Sequence, residues 1–244
     1  MRPDASWFVT YGIGGIALAV AGTVVWAYAR SLRALGWTPV QRKTHTWIFG
    51  GGVALWMLVT GWMASSGRLA NFEATPPPFL VVFIGVMAVG FGVGLSILGE
   101  RFATALPLWG LIAFHAYRLP LELVMHRAAT EGVMPDVMSF SGRNFDIVTG
   151  ASAIVVAYLV AKQEVGEWMA WIWNVVGIVL LFNVIQVAVR ATPLFKAFGD
   201  GPVNLNTWVA YFPFVWLPAV LVAAALAGHL VIFRRLIRGT ADGA

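Results

Sequence analysis

The sequence predicts an all-α fold: a polytopic membrane helical bundle of about seven transmembrane helices, with the N-terminus outside and the C-terminus inside. Composition is the first reason. Hydrophobic residues make up 59% of the 244 residues, charged residues only 11%, and the mean hydropathy is +0.79. A soluble domain carries about 25% charged residues, so this chain could not cover itself with polar surface in water. The second reason is that seven apolar stretches are each long enough to cross a bilayer.

The predicted spans follow from the lengths of these runs, because a helix needs about 20 predominantly apolar residues to cross a bilayer. In chain order they are Trp7–Ala29, Trp47–Ser65, Phe79–Leu98, Phe102–Met125, Phe145–Ala161, Glu167–Val189 and Trp208–Phe233. The first run is longer than the hydrophobic region of a cleavable signal peptide. Since the spans are spread evenly, we expect residues 1–244 to form a single transmembrane bundle domain.

Residues at and within the spans support this division. Tryptophan, which is enriched at membrane interfaces, lies near predicted span ends at Trp7, Trp26, Trp47, Trp62, Trp168 and Trp208. Three consecutive prolines, 76–78, lead stiffly into the third span. Small residues recur on one face of the first span (Gly15, Ala19, Gly22) and of the third (Gly90, Gly94), a spacing that predicts close helix packing.

Basic residues predict the orientation, because cytoplasmic connections carry an excess of lysine and arginine. With the N-terminus outside, nine lie in inner connections: Arg30, Arg33, Arg42, Lys43, Arg101, Lys162, Arg234, Arg235 and Arg238. Six lie in outer segments: Arg2, Arg68, Arg127, Arg143, Arg190 and Lys196. The outer connections are then the longer and more polar ones, which is where we expect function to be concentrated.

Charge and cysteine content narrow the chemistry and the partners. The net charge of +5 and the pI near 10 come mainly from residues at span ends, where they contact lipid head groups, so we expect no nucleic-acid partner. The expected partners are membrane lipids and, if the chain is a subunit, other membrane proteins. The absence of cysteine excludes disulfides, thiol redox chemistry and cysteine-ligated metals.

The fourth span carries the most informative pattern. His115, Arg118, Glu122 and His126 are separated by 3, 4 and 4 residues and therefore lie within one narrow arc of the helix. Placing one charge in hydrocarbon costs at least about 2.5–3.5 kcal/mol, so this face must point into the bundle. Arg118 and Glu122 are expected to pair, and Pro120 is expected to kink the helix beside them. The alternative is a purely structural ion pair.

Polar residues near the outer ends of other spans are expected to join this face in one ligand-binding site. They are Arg143, Asn144 and Asp146 at the start of the fifth span, Asn183, Gln186 and Arg190 in the sixth, and Tyr211 in the seventh. Asn144 or Asp146 could instead be an ordinary helix N-cap. His229 is expected near the inner end of the seventh span, far in depth from His115.

One segment resembles a known group of proteins. Leu-Pro-Leu-Glu-Leu-Val-Met-His at 119–126, followed by Gly132, Pro135, Met138 and Gly-Arg-Asn-Phe-Asp-Ile at 142–147, is similar to uncharacterised multi-pass bacterial membrane proteins that share a GRNFDI-type segment. The resemblance covers about 40 residues, and Ser141 stands where an acidic residue is expected. It implies a multi-pass protein of the bacterial inner (cytoplasmic) membrane and supplies no activity.

Several membrane activities are disfavoured by missing residues. The seventh span has no lysine for a retinal Schiff base, four histidines are too few for a di-iron hydroxylase, and no His-Glu-x-x-His motif is present. A bis-histidine haem is disfavoured by the expected separation of His115 from His229. A metal at Glu122 and His126, with Asp146 or His115 as a third ligand, remains a minor alternative. No particular cofactor is predicted.

Three functions follow from these residues. The first is binding or transport of a small polar or amphiphilic ligand, anionic or lipid-like, held by Arg118 and Arg190, with Glu122 and His126 coupling to protons. The second is an accessory subunit of a larger membrane complex, in which the cluster is only structural. The third is an intramembrane enzyme that uses His126 as a general base on a lipid or prenyl substrate, without a paired serine nucleophile. We rank binding or transport first and favour a role without catalysis, with the enzyme kept as an alternative.

Overall fold

The computed structural model describes the backbone of residues 3–242 and the side chains of residues 3–239; Arg2 lies outside the described residues. This part of the chain is helical and contains no strand. The helices are α1 (Trp7–Ala34), α2 (Pro39–Ser65), α3 (Pro78–Leu95), α4 (Ile97–Ala105), α5 (Leu108–Ala113), α6 (Arg118–Thr130), α7 (Ile147–Ala161), α8 (Glu167–Arg190) and α9 (Ala223–Asp242). A 3-10 turn (Phe114–Tyr117) joins α5 to α6, and a π-helical turn (Leu217–Val222) leads into α9.

The prediction of a helical membrane bundle is confirmed in its coarse form. Within residues 3–242, five helices are long and apolar enough to cross a membrane, and a sixth span results if a bent pair is counted as one. The fifth predicted span corresponds to α7, which is apolar but has only 15 residues. At 1.5 Å per residue this helix is about 22 Å long, shorter than the roughly 30 Å hydrocarbon core.

The predicted fourth span, Phe102–Met125, is not one continuous helix. The helix axis bends by 119° between the segments Ile97–Ala105 and Leu108–Thr130. Pro107 causes the break, because the residue before a proline is driven out of the helical region, and Leu106 has φ −100° and ψ 144°. The chain therefore turns sharply at Leu106 and begins a new segment at Leu108, which carries the polar face of α6.

The seventh predicted span, Trp208–Phe233, begins later than expected. Residues 208–210 form a 3-10 turn, and the membrane-length segment starts at Leu217 with the π-helical turn. Two prolines, Pro213 and Pro218, lie in this stretch and cannot donate backbone hydrogen bonds, so a regular α-helix is interrupted there. The displacement changes the depth at which every later residue of this segment lies.

The small residues that are predicted to pack closely do so in α3 but not in α1. A Cβ atom placed on Gly94 would lie 2.7 Å from Leu230, so this glycine permits the close contact of α3 with α9. Gly90 meets Leu226 in the same way. In α1, by contrast, Gly15 and Gly22 are exposed with no atom within 4 Å of such a Cβ, so their expected packing role within this chain is wrong.

Two ends of the bundle differ in their connections. The end with the long connections 131–146 and 191–207, here called the loop-rich end, is also where α1 begins. The Ser6 backbone N–H donates to Glu131 there at 2.9 Å. Burial opposes ionisation of Glu131, but hydrogen bonds from Ser6 and the ion pair with Arg127 outweigh it and hold the pKa of this carboxyl below its usual range. This contact fixes the start of α1 to the end of α6.

Candidate functional site

The polar face of the α5–α6 segment is buried, as its spacing predicts. His115, Arg118 and Glu122 are 0%, 1% and 1% exposed, respectively. His126, one turn beyond Glu122, is only half-buried and lies at the loop-rich end. Three of the four predicted residues therefore lie inside the bundle, where each needs a partner.

Arg118 pairs with Asp146 at the start of α7, not with Glu122 as expected. The guanidinium Nε donates to Asp146 Oδ2 at 2.5 Å, and Nη2 pairs with Oδ1 of the same carboxylate. The Asp146 carboxylate therefore contacts two guanidinium nitrogens of Arg118, one of them through a hydrogen bond. Asp146 makes no side-chain N-cap hydrogen bond, so its reading as an ordinary N-cap is also wrong.

Glu122 is held by a neutral partner. The Asn144 side-chain amide donates to its two carboxylate oxygens at 3.0 and 2.8 Å and also contacts the Met138 carbonyl at 3.0 Å. The Asn144 side-chain oxygen accepts from the Asp146 backbone N–H at 2.9 Å. Within the described residues Glu122 forms no ion pair. Asn144 therefore links the two buried acids while leaving Glu122 without a cation of its own.

The segment 143–146 can reach α6 because α7 approaches it closely. A Cβ on Gly150 would lie 2.3 Å from the backbone nitrogen of Leu119, so only glycine permits this contact between α7 and α6. Along the segment, burial alternates: Arg143 and Phe145 are exposed, whereas Asn144 and Asp146 are buried. Asn144 and Asp146 therefore face inward, toward Glu122 and Arg118.

His229 and Asn174 extend the cluster, and the sequence prediction missed both. Arg118 Nη1 lies 3.0 Å from His229 Nε2, and His229 Nδ1 lies 2.8 Å from the Asn174 side-chain oxygen. The Asn174 amide also donates to the His229 carbonyl at 3.1 Å. Each is a single polar residue within a long apolar run, which is the signal that could have identified them.

The expected separation in depth of His115 from His229 is wrong. Their ring centroids are 4.2 Å apart, with the planes inclined by 37°. The prediction assumes that the last span begins at Trp208. Because the membrane-length segment begins at Leu217, His229 lies only about 18 Å along the axis of that segment.

His115 is the one member of the cluster with no polar contact. Both of its ring nitrogens are buried without a hydrogen-bond partner among the described residues, and the ring packs against His229 and Trp173. Space for the two imidazoles comes from Gly228 and Gly177, where a Cβ would lie 2.7 Å from His115 and 2.5 Å from His229, respectively.

The remaining predicted residues form a separate, exposed group at the loop-rich end. The Asn183 amide donates to the Arg143 carbonyl at 2.7 Å, Gln186 donates to Asn183 at 3.3 Å, and Arg190 donates to Gln186 at 3.5 Å. Arg190 therefore does not share a binding site with Arg118, which is buried and already paired. The expected single site is divided into a buried network and a surface group.

His126 and Tyr211 belong to neither group. The His126 ring stacks on Phe140, with centroids 4.4 Å apart, and lines an open groove of about 580 Å³. Tyr211 packs against the apolar core, and no hydrogen bond between described residues joins it to the buried network.

Ser141 Oγ lies 3.4 Å from His126 Nδ1, so a serine does lie near this histidine. The geometry nevertheless lacks the other parts of a hydrolytic site. The backbone N–H groups of Ser141 and Gly142 already donate to Ser139, which leaves neither of them free to stabilise an oxyanion. Among the described residues no carboxylate hydrogen-bonds to His126.

A metal held jointly by Glu122 and His126, and a haem held between His115 and His229, do not fit this geometry. Nowhere in the described part of the chain do three or more histidine or carboxylate side chains lie close enough to share an ion. Glu122 is bound by Asn144, whereas His126 faces the surface groove. His115 and His229 are stacked in direct contact, and both nitrogens of His229 are engaged, so the pair cannot ligate a haem between them.

Comparisons of the chain with protein-family models, with curated proteins and with solved structures find no match. The resemblance of residues 119–147 to a group of bacterial membrane proteins therefore stays a prediction. What the chain can do must be inferred from the buried network and the surface group.

Proposed function

We propose that this protein binds or transports a small polar or amphiphilic ligand across or within a membrane, and that Glu122 takes up a proton in the process. The observation that carries the proposal is that Glu122 is 1% exposed and has a neutral amide as its hydrogen-bond donor. Ionisable residues at membrane depth are costly, and they characteristically mark proton and ion pathways.

Counting charges supports Glu122 as the group that changes its state. Arg118 and Asp146 neutralise one another in a two-point ion pair. The network then carries one uncompensated negative charge when Glu122 is ionised and none when it is protonated. Proton uptake at Glu122 therefore makes the network neutral and leaves the Arg118–Asp146 pair intact.

Access to Glu122 favours the loop-rich end. His126 lies one turn from Glu122 on α6 and lines the open groove, so it can pass a proton between the surface and the carboxyl. On the opposite side of the network, buried apolar side chains fill the bundle, among them Ile112, Val156 and Ile232. A proton would thus enter and leave at the loop-rich end of the bundle. We propose that this end faces the outside of a bacterial inner membrane.

Replacing Glu122 with glutamine tests the proposal directly. Proteoliposomes adsorbed on a solid-supported membrane are exposed to a step to lower pH. Proton uptake by a carboxyl inside the membrane moves charge across part of the membrane, so the wild type is expected to give a transient current. Glu122→Gln is expected to abolish this current. Glutamine still offers Asn144 an acceptor, so the local contact is retained.

The matched control is Glu73→Gln, the same change in the connection between α2 and α3, which should keep the current. The same recording with added decyl phosphate, decyl sulfate or decylamine identifies the ligand class, because the right amphiphile changes the wild-type current. A wild-type current that persists in Glu122→Gln would refute proton uptake at this residue.

An accessory subunit of a membrane complex is the second candidate. The observation that favours it is the small-residue face of α1: Gly15, Ala19 and Gly22 are exposed, and no described atom lies within 4 Å of a Cβ placed on either glycine. Such faces allow close approach of another membrane helix. Co-purification of a second membrane protein in fixed stoichiometry, lost in Gly15→Leu, tests this candidate.

A further inference from the structure

Two arginines at the loop-rich end share one aromatic ring. The guanidinium carbon of Arg143 lies 5.3 Å from the centre of the Phe198 ring, and that of Arg190 lies 6.0 Å from it. The two cations are therefore no farther apart than the sum of these distances. Both side chains are exposed. Like charges near one another repel, so a nearby anion would stabilise the arrangement.

Carboxylates do not neutralise this pair. In the described part of the chain neither Arg143 nor Arg190 forms an ion pair with an acidic residue. Their positions are instead set by neutral groups: Asn183 binds the Arg143 carbonyl, and Gln186 accepts from Arg190. Most of the guanidinium N–H groups therefore remain available, and the local charge is positive.

The surface next to the arginines is apolar and faces away from the protein. Phe145 and Val148 on the α7 side are each 53% exposed, and Val179 and Phe182 on α8 are 60% and 43% exposed. Phe182 lies eight residues before Arg190 on α8, about 12 Å deeper along the helix axis. Cationic groups at the interface thus stand above an exposed apolar surface of the kind that acyl chains cover.

We infer that the outer ends of α7 and α8 form a binding site for the phosphate head group of an anionic phospholipid. The phosphodiester accepts hydrogen bonds from Arg143 and Arg190, and the acyl chains lie along Phe145 and Phe182. Arginine forks suit phosphate oxygens. A zwitterionic lipid would place its ammonium group near two guanidinium groups and is therefore selected against. This site does not depend on proton uptake at Glu122.

The double variant Arg143→Gln/Arg190→Gln tests the site. Purified protein is titrated with phosphatidylglycerol or phosphatidylcholine, and bound lipid is counted by native mass spectrometry. We expect the wild type to bind phosphatidylglycerol at least about tenfold more tightly than the double variant, and to prefer it over phosphatidylcholine. The fold should persist, because Asn183 binds the backbone of residue 143 rather than its side chain.

Arg68→Gln is the matched control. Arg68 is also exposed, and its guanidinium lies 4.5 Å from the centre of the Trp62 ring, where no second arginine lies among the described residues. It should leave phosphatidylglycerol binding unchanged. Equal loss in Arg68→Gln, or no loss in the double variant, would overturn the site. Inorganic phosphate that binds as tightly as phosphatidylglycerol would overturn the assignment to a lipid.

Discussion

At the level of single residues, the structure shows which charged groups of the buried network pair with each other. The sequence predicted that Arg118, Glu122, Asn144 and Asp146 would come together, and the structure brings them together. It could not predict which acid pairs with Arg118. Spacing along one helix favours Glu122 as the partner of Arg118. In the structure, Arg118 instead pairs with Asp146 on the neighbouring helix, and Glu122 accepts hydrogen bonds from Asn144. The choice depends on the distance between α6 and α7.

Removing Asp146 tests the importance of this pairing. Asp146→Ala leaves the Arg118 guanidinium buried without its counter-charge, and breaking a buried pair in this way costs about 3–5 kcal/mol. We expect a corresponding loss in the free energy of unfolding, measured by denaturation in mixed micelles. The double variant Arg118→Leu/Asp146→Leu removes both charges and should recover most of that loss. If Asp146→Ala unfolds like the wild type, the ion pair does not stabilise the bundle.

At the scale of elements, breaks in helices decide where polar residues lie. The turn at Leu106–Pro107 starts a new segment just before His115, and the irregular stretch before Leu217 delays the last span. Together these breaks bring His115 and His229 to one level. Hydrophobic run lengths alone do not reveal such breaks, because the composition stays apolar through them. The prolines are a visible signal, but they do not specify the size of the bend.

The contact between the start of α1 and the end of α6 should depend on pH. Hydrogen bonds and Arg127 lower the pKa of Glu131 in the folded protein, so the stabilisation is present above the usual carboxyl range and is lost as pH falls through the folded-state pKa. We expect the protection of the Ser6 amide from hydrogen exchange, corrected for intrinsic rates, to fall in acid. Glu131→Gln should remove this pH dependence, whereas protection that is insensitive to acid would contradict the prediction.

For the whole molecule, the orientation predicted from basic residues can be measured cleanly, because the chain has no cysteine. Ser66 lies at the loop-rich end and Glu164 at the opposite end, and both are exposed. We expect Ser66→Cys to react with a membrane-impermeant maleimide in intact cells. Glu164→Cys should react only after the membrane is opened. The reverse pattern would place the loop-rich end in the cytoplasm and invert the proposed route of the proton.

Composition and apolar run length by themselves determined that this is a helical membrane-type protein with one buried ionisable face, because hydrocarbon tolerates neither exposed backbone nor unpaired charge. Helical spacing and position near the span ends then identified Arg118, Glu122, Asn144 and Asp146 as its members. Only the tertiary structure decided that Asn174 and His229 belong to the same network and that Arg143 and Arg190 lie apart from it. The reason is that pairing between helices depends on where each helix breaks and how closely its backbone approaches its neighbour, as at Gly150.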